Sequence, residues 1–296
     1  MKTRFMRRSL LYVPGSSPKM LEKALAFTEA DGIILDLEDS VSPSEKANAR
    51  ALVCGALQKT ANRAGRREII VRLNPLASPF AFDDFAAVCP LAPDSLIITK
   101  ASANTLVCAD MLVAMLENKH GLPPGEIRLI PLIETAEGIE DITAILRASS
   151  RITAAQFGAE DFTRDMEVER TLESGEIAYA RNRLAVACRA AGVDCLDTPY
   201  ADFRDREGCE RDTRYAKSIG MTGRTVIHPS LAGLTNRIFS PSPEEITRAE
   251  HIVRAFEEAT DKGLGAVALD GKMIDAPVVD RARNLLKKAA GTGEGA

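Results

Sequence analysis

Short apolar, β-branched runs alternate along this sequence with longer stretches of helical periodicity. Eight such units fill about the first 235 residues, and the expected C-terminal end of nearly every run carries a polar side chain. Together these features predict a TIM (β/α)8 barrel, with a helical extension behind it. A doubly wound open sheet is the alternative, because periodicity alone does not report whether a sheet closes. No GxGxxG follows the first run, which counts against a dinucleotide-binding version of that alternative.

The expected strands are "SLLYV" (9–13), "GIILDLE" (32–38), "EIIVRLN" (68–74), "SLIITK" (95–100), "RLIPLIE" (128–134), "ITAAQFG" (152–158), "CLDTP" (195–199) and "RTVIHP" (224–229). Helices are expected between them, in "SPKMLEKALAFTEA", "SPSEKANARALVCGALQKTANRAG" and "IAYARNRLAVACRAAG" among others. Ser17 before Pro18 and Ser42 before Pro43 offer helix-start chemistry, and Gly65, Gly192 and Gly220 stand where helices should stop. Beyond the eighth unit, "SPEEITRAEHIVRAFEEATDKG" reads as an amphipathic helix with Ser242 capping into Glu244 and Glu245. The following "LGAVALDGKMIDAPVVDRARNLLKKAA" is regular enough to be folded, and only "GTGEGA" at the end is expected to fray. The expected division is a barrel over 1–240 and an extension over 241–296.

Composition narrows the class. A chain of 296 residues, 45% hydrophobic and 27% charged, can bury a large core. Its net charge of -4 gives no broad electrostatic reason to bind nucleic acid. Six cysteines lie scattered without CxxC spacing, as reduced thiols of a cytoplasmic protein would. No apolar run approaches the roughly 20 residues that span a bilayer, and no signal-peptide core follows the basic start.

In a barrel the strand ends surround one mouth, where this sequence places Asp36, Glu38, Asp39, Arg72, Asn74, Lys100, Glu134, Glu160, Asp161 and His228. Glu134 and Asp161, on adjacent strand ends with the acids of "DLED" nearby, form a hard-oxygen set suited to Mg²⁺. The alternative is that these acids cap helices or pair with Arg72 and Lys100. Zinc is disfavoured by only three histidines and no Cys/His cluster.

Nine motifs in order, "RSLLYVPGSSPKMLEKA", "DGIILDLEDSVSPSEKANAR", "VRLNPL", "LIPLIETAEGI", "FGAEDFTRDM", "AYARNRLAVACRAAG", "DTPYADFRD", "IHPS" and "GKMIDAP", resemble the citrate lyase beta subunit family of the HpcH/HpaI aldolase superfamily. That family includes malyl-CoA and citramalyl-CoA lyases. The resemblance implies a TIM barrel, commonly trimeric or hexameric, that uses Mg²⁺ to cleave a 3-hydroxy-3-carboxyl acyl thioester into acetyl thioester and a 2-keto acid. It implies Glu134 and Asp161 as metal ligands, Arg72 on the keto acid, and Glu38 and Asp39 in support of the metal site. Asp275, in "GKMID", is implied to lie on a C-terminal lid and to exchange the enolate proton in a neighbouring subunit. A cap on the helix starting at "APVV" is its other reading.

Coenzyme A carries phosphates and calls for a basic rim, for which Arg8 and Lys46 match basic positions of the family's opening motifs. Two departures stand out, since Arg224 and Leu231 replace a Lys and a Gln that the family often carries. His228 reads as a structural hydrogen-bonding residue. Citramalyl-CoA is the leading expectation for the substrate, with malyl-CoA or a citryl thioester as near alternatives, since the core motifs do not choose among glyoxylate, pyruvate and oxaloacetate. One alternative is a citrate lyase beta subunit working with alpha and acyl-carrier partners. Another is a silent thioester-binding protein.

Overall fold

The computed structural model describes residues 5–60, 67–261 and 263–293. Its eight parallel strands are β1 (Ser9–Pro14), β2 (Gly32–Asp36), β3 (Glu68–Arg72), β4 (Ser95–Ile98), β5 (Arg128–Ile133), β6 (Ala154–Phe157), β7 (Asp194–Asp197) and β8 (Gly223–Val226). They pair in chain order, and β1 pairs with β8 to close the barrel. Closure decides between the two expected architectures in favour of the TIM fold. Every expected strand is present, because each is a buried β-branched or leucine-rich run with helices against its outer face.

Leu10, Ile34, Ile70, Ile97, Ile130, Leu132, Ala154 and Leu196 fill the barrel interior, with Tyr12 packed against them. Below this layer a charged group seals the N-terminal end. Arg7 bonds both carboxylate oxygens of Glu68 at 2.7 Å and reaches Thr153 and Asp194. The interior is therefore solid, and chemistry is confined to the opposite end.

Helices follow the expected stretches. Ser17 accepts the Met20 N–H at the start of Pro18–Ala26, whereas Ser42 makes no such bond and precedes a 3-10 turn before helix Lys46–Thr60. Gly192 and Gly220 end their helices at φ 71° and 98°, where a side chain would be strained. Gly65, the other expected stop, lies outside the described residues.

Arg224 has a structural explanation. It is fully buried with Arg181, and both guanidiniums bond the carboxylates of Asp197 and Asp212, tying β7 and β8 to helices Ala178–Ala191 and Arg206–Ser218. Leu231 is buried apolar packing in the 3-10 turn Pro229–Leu231.

The chain divides into two compact units, Met1–Asn236 and Arg237–Ala296. In the second, Ser242 and Glu245 form a reciprocal capping box on helix Pro243–Thr260. An antiparallel hairpin follows, β9 (Val267–Leu269) and β10 (Lys272–Ile274). Its two-residue turn is Asp270-Gly271, with φ 51° and 72° as a type I′ turn requires. The last helix, Ala276–Gly293, continues through glycines where fraying was expected. Among the described residues no helix is long and apolar enough to cross a membrane, and all six cysteines are free thiols.

Candidate active site

A cleft of about 420 Å³ opens at the C-terminal ends of the strands. Parallel register sets its first pair: Asp36 is the partner of Arg72 across β2 and β3. Asp36 accepts Arg72 Nε and Nη2 at 2.7 Å each, and also takes N–H and hydroxyl bonds from Glu38 and Ser40. Burial alone would raise the Asp36 carboxyl, but these donors outweigh it and hold the group below its ordinary range. The guanidinium also lies 4.9 Å over the Tyr12 ring. Arg72 is thus clamped by a bidentate acid on one edge and an aromatic face beneath.

Its remaining edge meets two acids. Nη1 is 3.2 Å from Asp39, which is largely exposed, and 2.9 Å from Glu38 Oε2. That second contact misses the angle of a hydrogen bond, leaving Glu38 Oε2 a charge contact only. Glu38 itself does not line the cleft. Burial, reinforced by Asp39 and Glu134 against the opposing Arg72, pushes Glu38 up to about 8.

Glu134 follows β5 and is almost fully buried at the cleft wall. Its Oε1 accepts the Lys100 N–H at 2.5 Å. Lys100 holds φ 47° to present that donor, an uncommon conformation for a residue with a side chain. Burial and neighbouring Asp161 push Glu134 up to about 7 despite the Lys100 bond. Asp161 enters on helix Ala159–Asp165 and pairs with Arg164 and, at 3.8 Å, with Lys100. Gly158 brings that helix close: a Cβ there would lie 2.9 Å from the Glu134 Cβ.

Glu134 and Asp161 fit a magnesium ion. They are two carboxylates at one cleft, and the Asp161 charge helps raise the Glu134 carboxyl, so the pair offers hard oxygens where a cation would relieve their repulsion. Among the described residues no group of three or more His, Cys, Asp or Glu could hold a metal, which excludes a closed protein cage but suits an ion that keeps waters and takes one or two carboxylates.

Not all expected residues arrive here. Arg8 lies at the start of β1, at the sealed end, with its guanidinium on Asp31. Chain position near a strand does not distinguish the two ends. Lys46 is buried, donating to the carbonyls of Leu37 and Glu38 at 2.8 and 2.7 Å. Neither residue lines the cleft, so Arg8 braces the base and Lys46 shapes the turn that carries Glu38. Asn74 braces the same turn through Leu37 O and Asp84. His228 caps the 3-10 turn through Ser230 and stacks on Phe203 at 4.6 Å, as expected of a structural residue.

Asp275 belongs to the second unit, where its Oδ1 accepts the Val278 N–H at 3.3 Å and caps helix Ala276–Gly293. Two cleft residues escaped sequence reading, Tyr12 and Gln156, which bond each other at 2.9–3.1 Å across the floor. Both sit at inward positions of otherwise apolar strands, where polar atoms signal a cavity rather than a core.

The HpcH/HpaI aldolase/citrate lyase family model matches residues 8–229. Citrate lyase subunit beta of Leuconostoc mesenteroides subsp. cremoris is 36% identical over 285 residues, covering 96% of this chain and 93% of that one. Human mitochondrial citramalyl-CoA lyase is 32% identical over 300 residues, covering 97% and 87%. Among solved structures, the protein CitE from Mycobacterium tuberculosis in complex with magnesium, acetoacetate and coenzyme A aligns with a TM-score of 0.80 at 26% identity, covering 97% of this chain and 100% of that one. The protein belongs to the HpcH/HpaI aldolase/citrate lyase family.

Proposed function

We propose that the protein is a Mg²⁺-dependent carbon-carbon lyase that splits a 3-hydroxy-3-carboxyl acyl-CoA into acetyl-CoA and a 2-keto acid, with citramalyl-CoA favoured and malyl-CoA next. The observation that carries this reading is the convergence of Arg72, Glu134 and Asp161 on one cleft at the barrel mouth. The magnesium held by its mycobacterial relative supports the same assignment. Glu134 and Asp161 would hold the ion, which when bound polarises the oxygens of the keto-acid portion.

Cleavage breaks the bond between C2 and C3 of the acyl chain. Its electron pair stays on C2 as a thioester enolate, while the C3 hydroxyl gives up its proton and becomes the carbonyl of the keto acid, so that the proton released at C3 is matched by the one C2 takes up. Arg72, pre-set by Asp36 and Tyr12, offers a fixed positive charge to the oxygen whose charge changes at C3. Glu38 and Asp39 hold its outer edge. C2 must then be protonated, a task for which a carboxylate occupied by a metal is poorly suited. Asp275 is the proposed acid, delivered by the second unit of a neighbouring subunit in a homo-oligomer, a trimer or hexamer. In the reverse condensation the same carboxylate removes the proton.

The test is parallel incubation of purified protein with citramalyl-CoA, malyl-CoA and citryl-CoA, with Mg²⁺ and with chelator, identifying the keto acid released. Turnover that requires Mg²⁺ is expected, and negligible turnover of all three refutes the reading. A second reading, a beta subunit acting on a citryl-acyl-carrier-protein thioester, draws on the Leuconostoc relative. Co-purification with a small carrier protein and inactivity on free CoA esters would favour it.

A further inference from the structure

The Tyr12 ring seats Arg72, yet a phenylalanine would offer the same face. Its hydroxyl has a separate partner. Gln156, on β6 and buried, sets its amide edge against that hydroxyl, and both residues line the cleft. Such a pair offers the fold little, since two apolar side chains of the same shape would be close to neutral in its place. The direction of the bonds is set from the far end, on β8. Thr225 gives its only hydroxyl proton to the Asp197 carbonyl at 3.1 Å, and a carbonyl can only accept. Thr225 therefore meets Gln156 as an acceptor, at 3.5 Å, which turns the amide nitrogen toward it. The same nitrogen donates to the Tyr12 oxygen at 2.9 Å.

A phenol that accepts from an amide still holds its own proton, whose protein partner is the Gln156 carbonyl oxygen at 3.1 Å. An anionic oxygen entering the cleft is a stronger acceptor than that neutral amide and takes the bond over. Burial raises the phenol above its ordinary value against the opposing charge of Arg72, so the group stays protonated. The stronger donors of the cleft already face protein acids: Arg72 meets Asp36, Glu38 and Asp39, and the Ser40 hydroxyl lies on Asp36 at 2.5 Å. Thr198 also lines the cleft, where its oxygen accepts the Ala159 N–H. We infer that Tyr12 presents its hydroxyl proton to an anionic oxygen of the substrate at the cleft floor, as a neutral donor beside Arg72, and that Gln156 is the positioning residue that aims it. This assignment rests on the lyase reading and adds a catalytic residue to it.

Tyr12→Phe keeps the ring under Arg72 and removes only the hydroxyl. It should lower kcat/KM by about 10–100-fold on whichever of citramalyl-CoA, malyl-CoA and citryl-CoA turns over. Calorimetric binding of pyruvate in the presence of Mg²⁺, a readout independent of turnover, should weaken at least about tenfold. Gln156→Leu should lower both in the same direction, and the double variant should lose no more than the larger single loss, because the two residues act through one bond. Melting temperature separates this role from packing. Each single variant strands a buried polar group and melts lower, whereas the double variant, with neither group, recovers the parent's stability but not its kcat/KM. A double variant that recovers turnover along with stability overturns the inference, as does a Tyr12→Phe protein with unchanged kcat/KM and pyruvate affinity, and either result leaves the lyase reading intact. No turnover of any thioester, with pyruvate affinity still falling in Tyr12→Phe, sinks the lyase reading and keeps Tyr12 as a ligand donor. Negligible turnover with no pyruvate bound by the parent protein overturns both.

Discussion

Gly158→Ala tests the metal site through a residue with no functional group of its own. The added Cβ would lie 2.9 Å from Glu134 Cβ, 3.2 Å from its Oε2 and 3.3 Å from Leu132 Cδ1. Carbon atoms rest at about 3.5–4.0 Å, so Glu134 or the helix carrying Asp161 must move by roughly 0.6–1 Å. Glu134 is too buried to swing into solvent. Overpacking of this kind costs about 1–3 kcal/mol, offset by about 0.4–1 kcal/mol from a stiffer unfolded chain. The net effect is a melting temperature a few degrees lower. A displacement near 1 Å at a reacting centre costs about 100-fold, so kcat/KM should fall by roughly 10–100-fold, with Mg²⁺ affinity falling alongside. Calorimetric Mg²⁺ titration and steady-state kinetics measure the two. Gly175→Ala, where an added Cβ meets nothing within 4 Å, is the control and should leave both unchanged. A Gly158→Ala protein with unaltered kcat/KM and Mg²⁺ affinity would refute the placement of Glu134 against this turn.

Three further outcomes are expected. Asp275→Asn keeps a good helix cap, so thermal stability and keto-acid binding should hold while turnover falls at least about 100-fold; equal loss of fold and activity would instead assign Asp275 to capping alone. Arg224→Lys cannot reproduce the bonds to Asp197, Asp212 and Thr213 and should cost about 3 kcal/mol in denaturant unfolding, without a change in KM because the network does not line the cleft. Burial raises the Glu117 carboxyl, but Arg151 and the Gly125 and Ile127 N–H groups bring it below its ordinary value. Its folded form therefore binds protons less readily than its unfolded form, and its stabilisation is present above the unfolded value near pH 4.3 and lost as pH falls through the folded one. Melting temperature measured between about pH 6 and 3 should decline on the acid side, and Glu117→Gln should flatten that decline.

The barrel was legible because each strand is a run of residues that belongs in a buried parallel sheet, and the meeting of Glu134 and Asp161 at one cleft because they follow neighbouring strands. What escaped depended on direction or distance. Arg8 and Arg72 both flank strands, yet one lies at the sealed end and the other at the mouth. Lys46 looked like a phosphate contact because sequence does not reveal that the turn after β2 folds back over its ammonium. The hairpin of β9 and β10 did have a local signal, since Asp-Gly between short apolar runs is a strong type I′ pattern.

The base of the barrel bears on how the chain assembles during synthesis. Arg7 emerges among the first residues, yet its partners Thr153 and Asp194 follow 146 and 187 positions later, and the strand that pairs with β1 at the seam begins at Gly223. That glycine is obligatory, because a Cβ there would collide with the Arg7 carbonyl. A nascent chain therefore carries a first strand with one edge unpaired until three-quarters of the protein has been made, and an arginine answered by Glu68 alone until Thr153 and Asp194 follow. Contacts of such long sequence separation slow folding, so closing the seam is the late, committing event, and a chain truncated before Gly223 would present β1 as an open edge.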